Sequence, residues 1–181
     1  MYIGSIMIEI QNKNKLELIP INKNDQNELF TLINTNRKYL GKYLKWVEFT
    51  NSVSDLDNFI ILSEKLIENN AGGNYKIQYN DQFIGIISTF INDKENKVFE
   101  IGYWITQEYA NKGIISECVK KIETIIIINY KAKKIELRCA VENIPSNKVA
   151  KKNNYLFINV LSDCEEILGQ KLDYNRYEKS V

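Results

Sequence analysis

No histidine occurs anywhere in the 181 residues. Mechanisms that depend on imidazole are therefore excluded, among them Ser-His-Asp triads, Cys-His pairs and His-ligated zinc. Any general base has to be a carboxylate, a tyrosine, a lysine, a cysteine or a positioned water. Proline is nearly missing too, with two residues, and glycine numbers eight. No Pro/Gly-rich linker, internal repeat or low-complexity block stands out, so one domain spanning residues 1–181 is expected. The three cysteines, Cys118, Cys139 and Cys164, are scattered and odd in number. They suit neither a disulfide framework nor a metal cluster, and reduced thiols in a cytoplasmic protein are expected. Long apolar runs are absent as well. Runs such as Ile125–Ile128 reach only four residues, and Glu9 interrupts the one near the N-terminus, so neither a membrane span nor a secretory leader is expected. Neither sign of charge dominates: 24 Lys and Arg face 23 Asp and Glu, for a net charge of +1. Such a chain offers no strong field for nucleic acid or an anionic membrane.

What is present is an ordinary globular composition, 44% hydrophobic and 26% charged, in a chain long enough for a sizeable core. Residues 6–10 and 16–21 read as short strands around the polar turn Gln11–Lys15. Asp25 is placed to cap a helix running to about Thr35, and a short helix is expected over Lys38–Leu44. A longer one starts at Ser54 and stops near Ala71-Gly72-Gly73. Strands are expected over Tyr75–Tyr79, Gln82–Ile91 and Val98–Ile105, followed by an amphipathic helix over 112–129. Lys134–Val141 reads as a strand, Pro145–Asn153 as a helix, and Leu156–Cys164 and Lys171–Tyr177 as strands. The fold class is α/β (α+β): a mixed central sheet of about seven strands with helices on both faces.

The most informative stretch is Glu100–Val119, a strand, a short loop and the start of a helix, with Gly113 at the junction. Such a junction presents unpaired backbone N–H groups and the positive end of a helix dipole, the physics of a phosphate site. It is not a dinucleotide fingerprint, because the loop holds one glycine rather than three. It is not a P-loop, because Lys112 precedes Gly113 and no Gly-Lys-Ser/Thr occurs. Backbone donors over Asn111–Ile115, with Lys112 beside them, remain.

Together with Val141-Glu142-Asn143-Ile144-Pro145-Ser146-Asn147-Lys148-Val149-Ala150, this stretch resembles the GNAT N-acetyltransferase superfamily. Within it the chain is similar to the branch that acetylates protein N-termini, including those of ribosomal proteins. The resemblance runs from about Leu16 to Tyr177 and includes Arg37–Trp46. It implies the GNAT fold and acetyl-CoA as co-substrate, with no metal. It implies that the amides of Asn111, Lys112, Gly113, Ile114 and Ile115 hold the pyrophosphate of coenzyme A. Strand Glu100–Ile105 would splay from Lys134–Val141, so that backbone near Trp104 and Ile105 meets pantetheine, and an N–H there stabilises the oxyanion. Asn143 and Ser146 match the family's Asn-x-x-Ser. Many members carry a Tyr at the position of Ala150 to protonate the departing thiolate; here Ser146 is the candidate substitute. Ala110 departs from the usual Gln or Arg of the loop, and Asn154 from a usual Gly.

The acceptor amine must be neutral to attack. An α-amino group, with a pKa of about 8, needs only a modest base. The resemblance places Glu165 at the acceptor, with Glu166 as the confounding neighbour, and lines the acceptor side with Tyr39, Tyr43, Trp46 and Tyr103. It implies an acetyl-CoA-dependent N-acetyltransferase acting on a protein N-terminus, such as that of a ribosomal protein. A homodimer is also compatible with it. Two alternatives stay open at the level of the sequence: acetylation of a small amine (polyamine, amino sugar or antibiotic), and a non-catalytic coenzyme A-binding module.

Overall fold

The computed structural model describes residues 6–9, 15–167 and 169–181. Among the described residues, eight strands form one mixed sheet, in the order β1 (Ile6–Glu9), β2 (Lys15–Pro20), β3 (Gly72–Tyr79), β4 (Gln82–Asp93), β5 (Val98–Ile105), β6 (Lys134–Ala140), β8 (Gln170–Ser180) and β7 (Leu156–Ile167). The sequence implies about seven. Most of the expected turn Gln11–Lys15 lies outside the described residues. Every pairing among these strands is antiparallel except β5 with β6.

Helices cover both faces, as expected. On one face lie α5 (Ile114–Tyr130) and α6 (Ile144–Lys152); on the other lie α1 (Gln26–Thr35), α2 (Arg37–Leu40), α3 (Trp46–Phe49) and α4 (Asp57–Glu68). The short helix expected over Lys38–Leu44 is instead α2, which starts at Arg37 and ends at Leu40, followed by a turn over 41–43; α3 lies beyond that span. The chain lacks the length of apolar periodicity that would carry one helix through Gly41. Asp25 does not cap α1 directly. A single helical turn over Lys23–Asp25 precedes α1, and Asn22 caps that turn, its side chain accepting from Asn24 N–H while Asp25 accepts from Asn22 N–H at 3.0 Å. Asp25 then pairs with Lys76 of β3 at 2.6 Å, which ties this helix entry to the sheet.

Two cores follow from the two faces. The larger gathers Ile114, Ile115, Cys118, Val119, Ile122, Ile125 and Ile126 of α5 against Phe99, Ile101, Ile135 and Leu137 of the sheet. Isoleucine is only a moderate helix former, so burial rather than propensity holds α5 in place, each such side chain contributing about 2 kcal/mol. The smaller core packs Leu29, Ile33, Leu40, Val47, Leu56 and Ile60 on Phe83 and Ile86 of β4.

The feature that positions the site is the single parallel pair. β5 and β6 pair only over Val98–Ile101 and Lys134–Leu137. Beyond that the strands part, and Gly102–Ile105 faces a gap instead of a neighbour. Thr106 N–H donates to Ile84 of β4 at 2.9 Å. Backbone amides alternate sides along a strand, so the N–H of Ile105 points the other way, into the gap.

Candidate active site

A cleft of about 290 Å³ opens at this gap. Its walls include Trp104 and Ile105 from β5, Asn111, Lys112, Gly113, Ile114 and Ile115 from the loop into α5, and Asn143 and Ser146 from the start of α6. Tyr39, Tyr43 and Tyr103 line it as well. Twelve residues singled out in three separate stretches of sequence thus meet around one cavity. Trp46 does not line it; its ring backs Trp104 instead, with centroids 6.1 Å apart.

The loop has the geometry of an anion cradle. Asn111 (φ 61°) and Gly113 (φ 82°) both lie in the left-handed region, which turns the chain sharply into the first turn of α5. No side chain caps that turn, so the amides at its start stay directed at the cleft. Two cations stand beside it. Lys112 lies over the Tyr109 ring, its ammonium 4.9 Å from the centroid. Lys152, at the end of α6, brings its ammonium within 3.8 Å of where a Gly113 side chain would begin. Sequence reasoning missed Lys152, because only the packing of α6 beside α5 brings position 152 to position 113.

Asn143 is the cap of α6, accepting from Ser146 N–H at 3.3 Å. The cap function that the sequence alone could have assigned to Ser146 therefore belongs to Asn143. Ser146 sits in the first turn with its hydroxyl 3.1 Å from Cys139 Sγ and 3.0 Å from the Tyr103 hydroxyl. Tyr103, expected on the acceptor side, instead stands with Ser146 on the α6 face. Ala150 is fully buried in the core, and its methyl has no proton to give to a thiolate. Asn154 takes the left-handed conformation (φ 63°) that the usual Gly would adopt.

Glu165 stands outside the cleft lining. It accepts a hydrogen bond from Tyr174 of β8, and Tyr174 is paired with Ala140 of β6. Cys139, one residue earlier, points toward α6, so Tyr174 and Glu165 lie on the opposite face of the sheet. Burial, and then the neighbouring Glu165 carboxylate, push the Tyr174 phenol up from its usual range. Glu166 is exposed, which separates the two carboxylates that the sequence left adjacent. On the same face Arg138 pairs with Glu100 at 3.2 Å where β5 and β6 begin to part. Across the gap, Tyr43 donates to the Glu142 carbonyl at 3.4 Å, and Asn36 accepts from Gln107 N–H at 3.3 Å. These contacts tie the end of α1 and the turn after α2 to the two loops that frame the cleft.

A cleft at the parting of two parallel strands suits a pantetheine arm, and an amide cradle at a helix start suits the pyrophosphate attached to it. Residues 15–155 match the acetyltransferase (GNAT) domain family. The chain belongs to that family. It is an acetyl-CoA-dependent N-acetyltransferase, as the resemblance implied. It is 27% identical over 172 residues to the ribosomal-protein-serine acetyltransferase of Escherichia coli (strain K12), covering 95% of this chain and 96% of that one. Among solved structures, the microcin C7 self-immunity acetyltransferase MccE in complex with acetyl-CoA and AMP is 29% identical. It superposes with a TM-score of 0.85 over 92% of each chain. The ribosomal α-N-protein acetyltransferase RimL in complex with coenzyme A shares the fold, with a TM-score of 0.89 at 22% identity, covering 97% of this chain and 98% of that one.

Two further observations bear on the sequence expectations. Cys118 and Cys139 are buried and Cys164 is exposed, all as free thiols. Among the described residues no helix is long and apolar enough to cross a membrane.

Proposed function

We propose that this N-acetyltransferase modifies the N-terminal α-amino group of a protein, a ribosomal protein in the cytoplasm being the foremost candidate. The observation that carries the reading is the reach of the match to the E. coli ribosomal-protein-serine acetyltransferase, 95% of this chain. That span takes in the α2–α3 segment and the β7–β8 hairpin as well as the donor loop. Parts of the chain that do not touch coenzyme A are where an acceptor has to be recognised.

The residues divide the chemistry by face. The cradle at Asn111–Ile115, with Lys112 and Lys152, holds the pyrophosphate. Ile105 N–H, directed into the gap, donates to the carbonyl oxygen as charge develops on it. Glu165, held by Tyr174 on the opposite face, takes the proton of the incoming amine directly or through a water. Ser146, on the donor face, gives a proton to the departing thiolate. Acetyl-CoA supplies the activated acyl group, and the amine attacks it without an acyl-enzyme stage. A homodimer fits the exposed apolar edge of β7, where Leu156, Phe157, Ile158 and Val160 meet solvent.

The test is turnover of acetyl-CoA by the purified protein with peptides bearing a free N-terminal serine or alanine, against spermidine, an amino sugar and AMP-linked amines. The expected result is a kcat/KM for one of the peptides more than about tenfold above every small amine. A small amine preferred over all peptides overturns the acceptor assignment. No turnover with any amine overturns the enzymatic role itself.

A further inference from the structure

The Ser146 hydroxyl is not alone. Its oxygen lies between two groups that the chemistry above does not use: the buried Cys139 thiol at 3.1 Å and the half-buried Tyr103 phenol at 3.0 Å. The Tyr103 hydroxyl also lies 3.3 Å from the Ser146 carbonyl, so its one proton is shared between the two Ser146 oxygens. Tyr103 and Ser146 line the cleft, whereas Cys139 lies behind them and is 3% exposed. The three come from β5, β6 and α6, so the cluster sits where the parting strands meet the helix that closes the gap.

An aliphatic hydroxyl is a weaker acid than the thiol it has to generate, so a lone serine is a poor proton donor to a thiolate. A serine whose oxygen already accepts a hydrogen bond is better, because that bond polarises its own O–H and stabilises the oxygen once the proton leaves. The serine O–H also needs a partner when no thiolate is present. We infer that Tyr103 and Cys139 are positioning residues for Ser146. Tyr103 donates to the serine oxygen throughout the cycle, and the Cys139 sulfur accepts the serine's hydrogen bond between turnovers. This rests on the reading of Ser146 as the donor to the leaving thiolate.

The protons balance. The C–S bond breaks with its electron pair on sulfur, and the Ser146 proton passes to that sulfur. The proton lost by the amine to Glu165 returns to the serine oxygen through water as the cleft reopens. Tyr103 and Cys139 gain and lose none. Burial pushes both of their ionisations up, that of Tyr103 well above its usual value. At rest both are therefore protonated and neutral, and neither stands as a rival anion beside the thiolate.

A cluster that merely fastened α6 to the sheet would behave differently on substitution, and a double-mutant cycle separates the two roles. The measurements are kcat, KM for acetyl-CoA and the melting midpoint for the wild type, Tyr103→Phe, Ser146→Ala and the double variant, together with Cys139→Ala and Cys139→Ser. Tyr103→Phe is expected to lower kcat about tenfold, the worth of one hydrogen bond to a developing charge, with KM unchanged. The same substitution is expected to change nothing further once Ser146→Ala is present. Cys139→Ala is expected to lower kcat, and Cys139→Ser to restore it. If Tyr103→Phe does not fold, the cysteine variants made with and without Ser146→Ala carry the same cycle. An equal loss in both backgrounds, or a change confined to KM and melting, overturns the inference and leaves the serine's role standing. Full kcat in Ser146→Ala overturns both.

Discussion

The Tyr174 phenol donates to the Glu165 carboxylate, joining two residues nine positions apart across the β7–β8 hairpin. Glu165 is thereby held on the face of the sheet away from Ser146, while Glu166 turns to solvent. Glu165→Gln is expected to lower kcat about a hundredfold or more, with acetyl-CoA binding unchanged. Glu166→Gln is expected to leave kcat alone. Steady-state kinetics with a fluorescence titration of acetyl-CoA check both, and full activity in Glu165→Gln sinks the assignment of the base.

Gly113 carries the donor loop through a left-handed turn (φ 82°) beside Lys152. Gly113→Ala places a side chain in that region at a cost of about 1–2 kcal/mol and shifts the amides proposed to hold the pyrophosphate. A rise in KM for acetyl-CoA of about tenfold or more is expected, with a smaller loss in kcat. Lys152→Gln should raise KM several-fold at low salt and much less at high salt, as a screened charge contact does. A KM for Lys152→Gln that matches wild type at every ionic strength removes that lysine from the site.

Asp55 accepts from Asn51 N–H and Ser52 N–H, each at 2.8 Å, at the entry to α4. Those bonds hold its carboxyl below the usual range. A depressed acid stabilises the fold above its unfolded pKa of about 4 and loses that contribution as the pH falls through the lower folded value. Asp55→Asn is therefore expected to melt earlier than wild type at pH 7, and the gap should close under acid. Thermal melts at neutral pH and at successively lower pH test this. A gap that widens on acidification contradicts the sign.

Gly85 of β4 faces Trp104 of β5 so closely that a side-chain carbon would stand 2.3 Å from the Trp104 carbonyl oxygen. Backbone on both sides prevents an easy shift. Gly85→Ala is expected to destabilise by about 1–3 kcal/mol, as over-packing does, and to disturb the cleft at Trp104. Urea denaturation paired with the KM for acetyl-CoA measures both. A variant with wild-type stability shows that β4 and β5 separate more freely than their register implies.

Most of the fold was legible in the sequence, since local periodicity carries it. The isoleucine spacing from Ile114 to Ile126 marks α5, the alternation Ile135, Leu137, Cys139 marks β6, and Asn80-Asp81 between apolar runs marks the β3–β4 hairpin. The misread places are where local signals compete. Asp25 is a good cap by type, yet Asn22 caps the turn before α1 while Asp25 turns to Lys76. The helix read over Lys38–Leu44 stops early, at Leu40, and the chain turns from Gly41.

By itself the sequence singled out two segments that the structure brings to one cleft. Asn111–Ile115 and Asn143–Ser146 are short continuous segments whose chemistry follows from neighbours a few residues away, and the lack of histidine had already ruled out an imidazole base. Tertiary structure alone decided the rest. Lys152 beside Gly113, Tyr174 on Glu165, and Cys139 and Tyr103 around Ser146 are pairs brought together by strand register and helix packing. Spacing along the chain carries no record of such contacts, because they depend on where β5 and β6 stop pairing and on which side chains the resulting gap leaves facing one another.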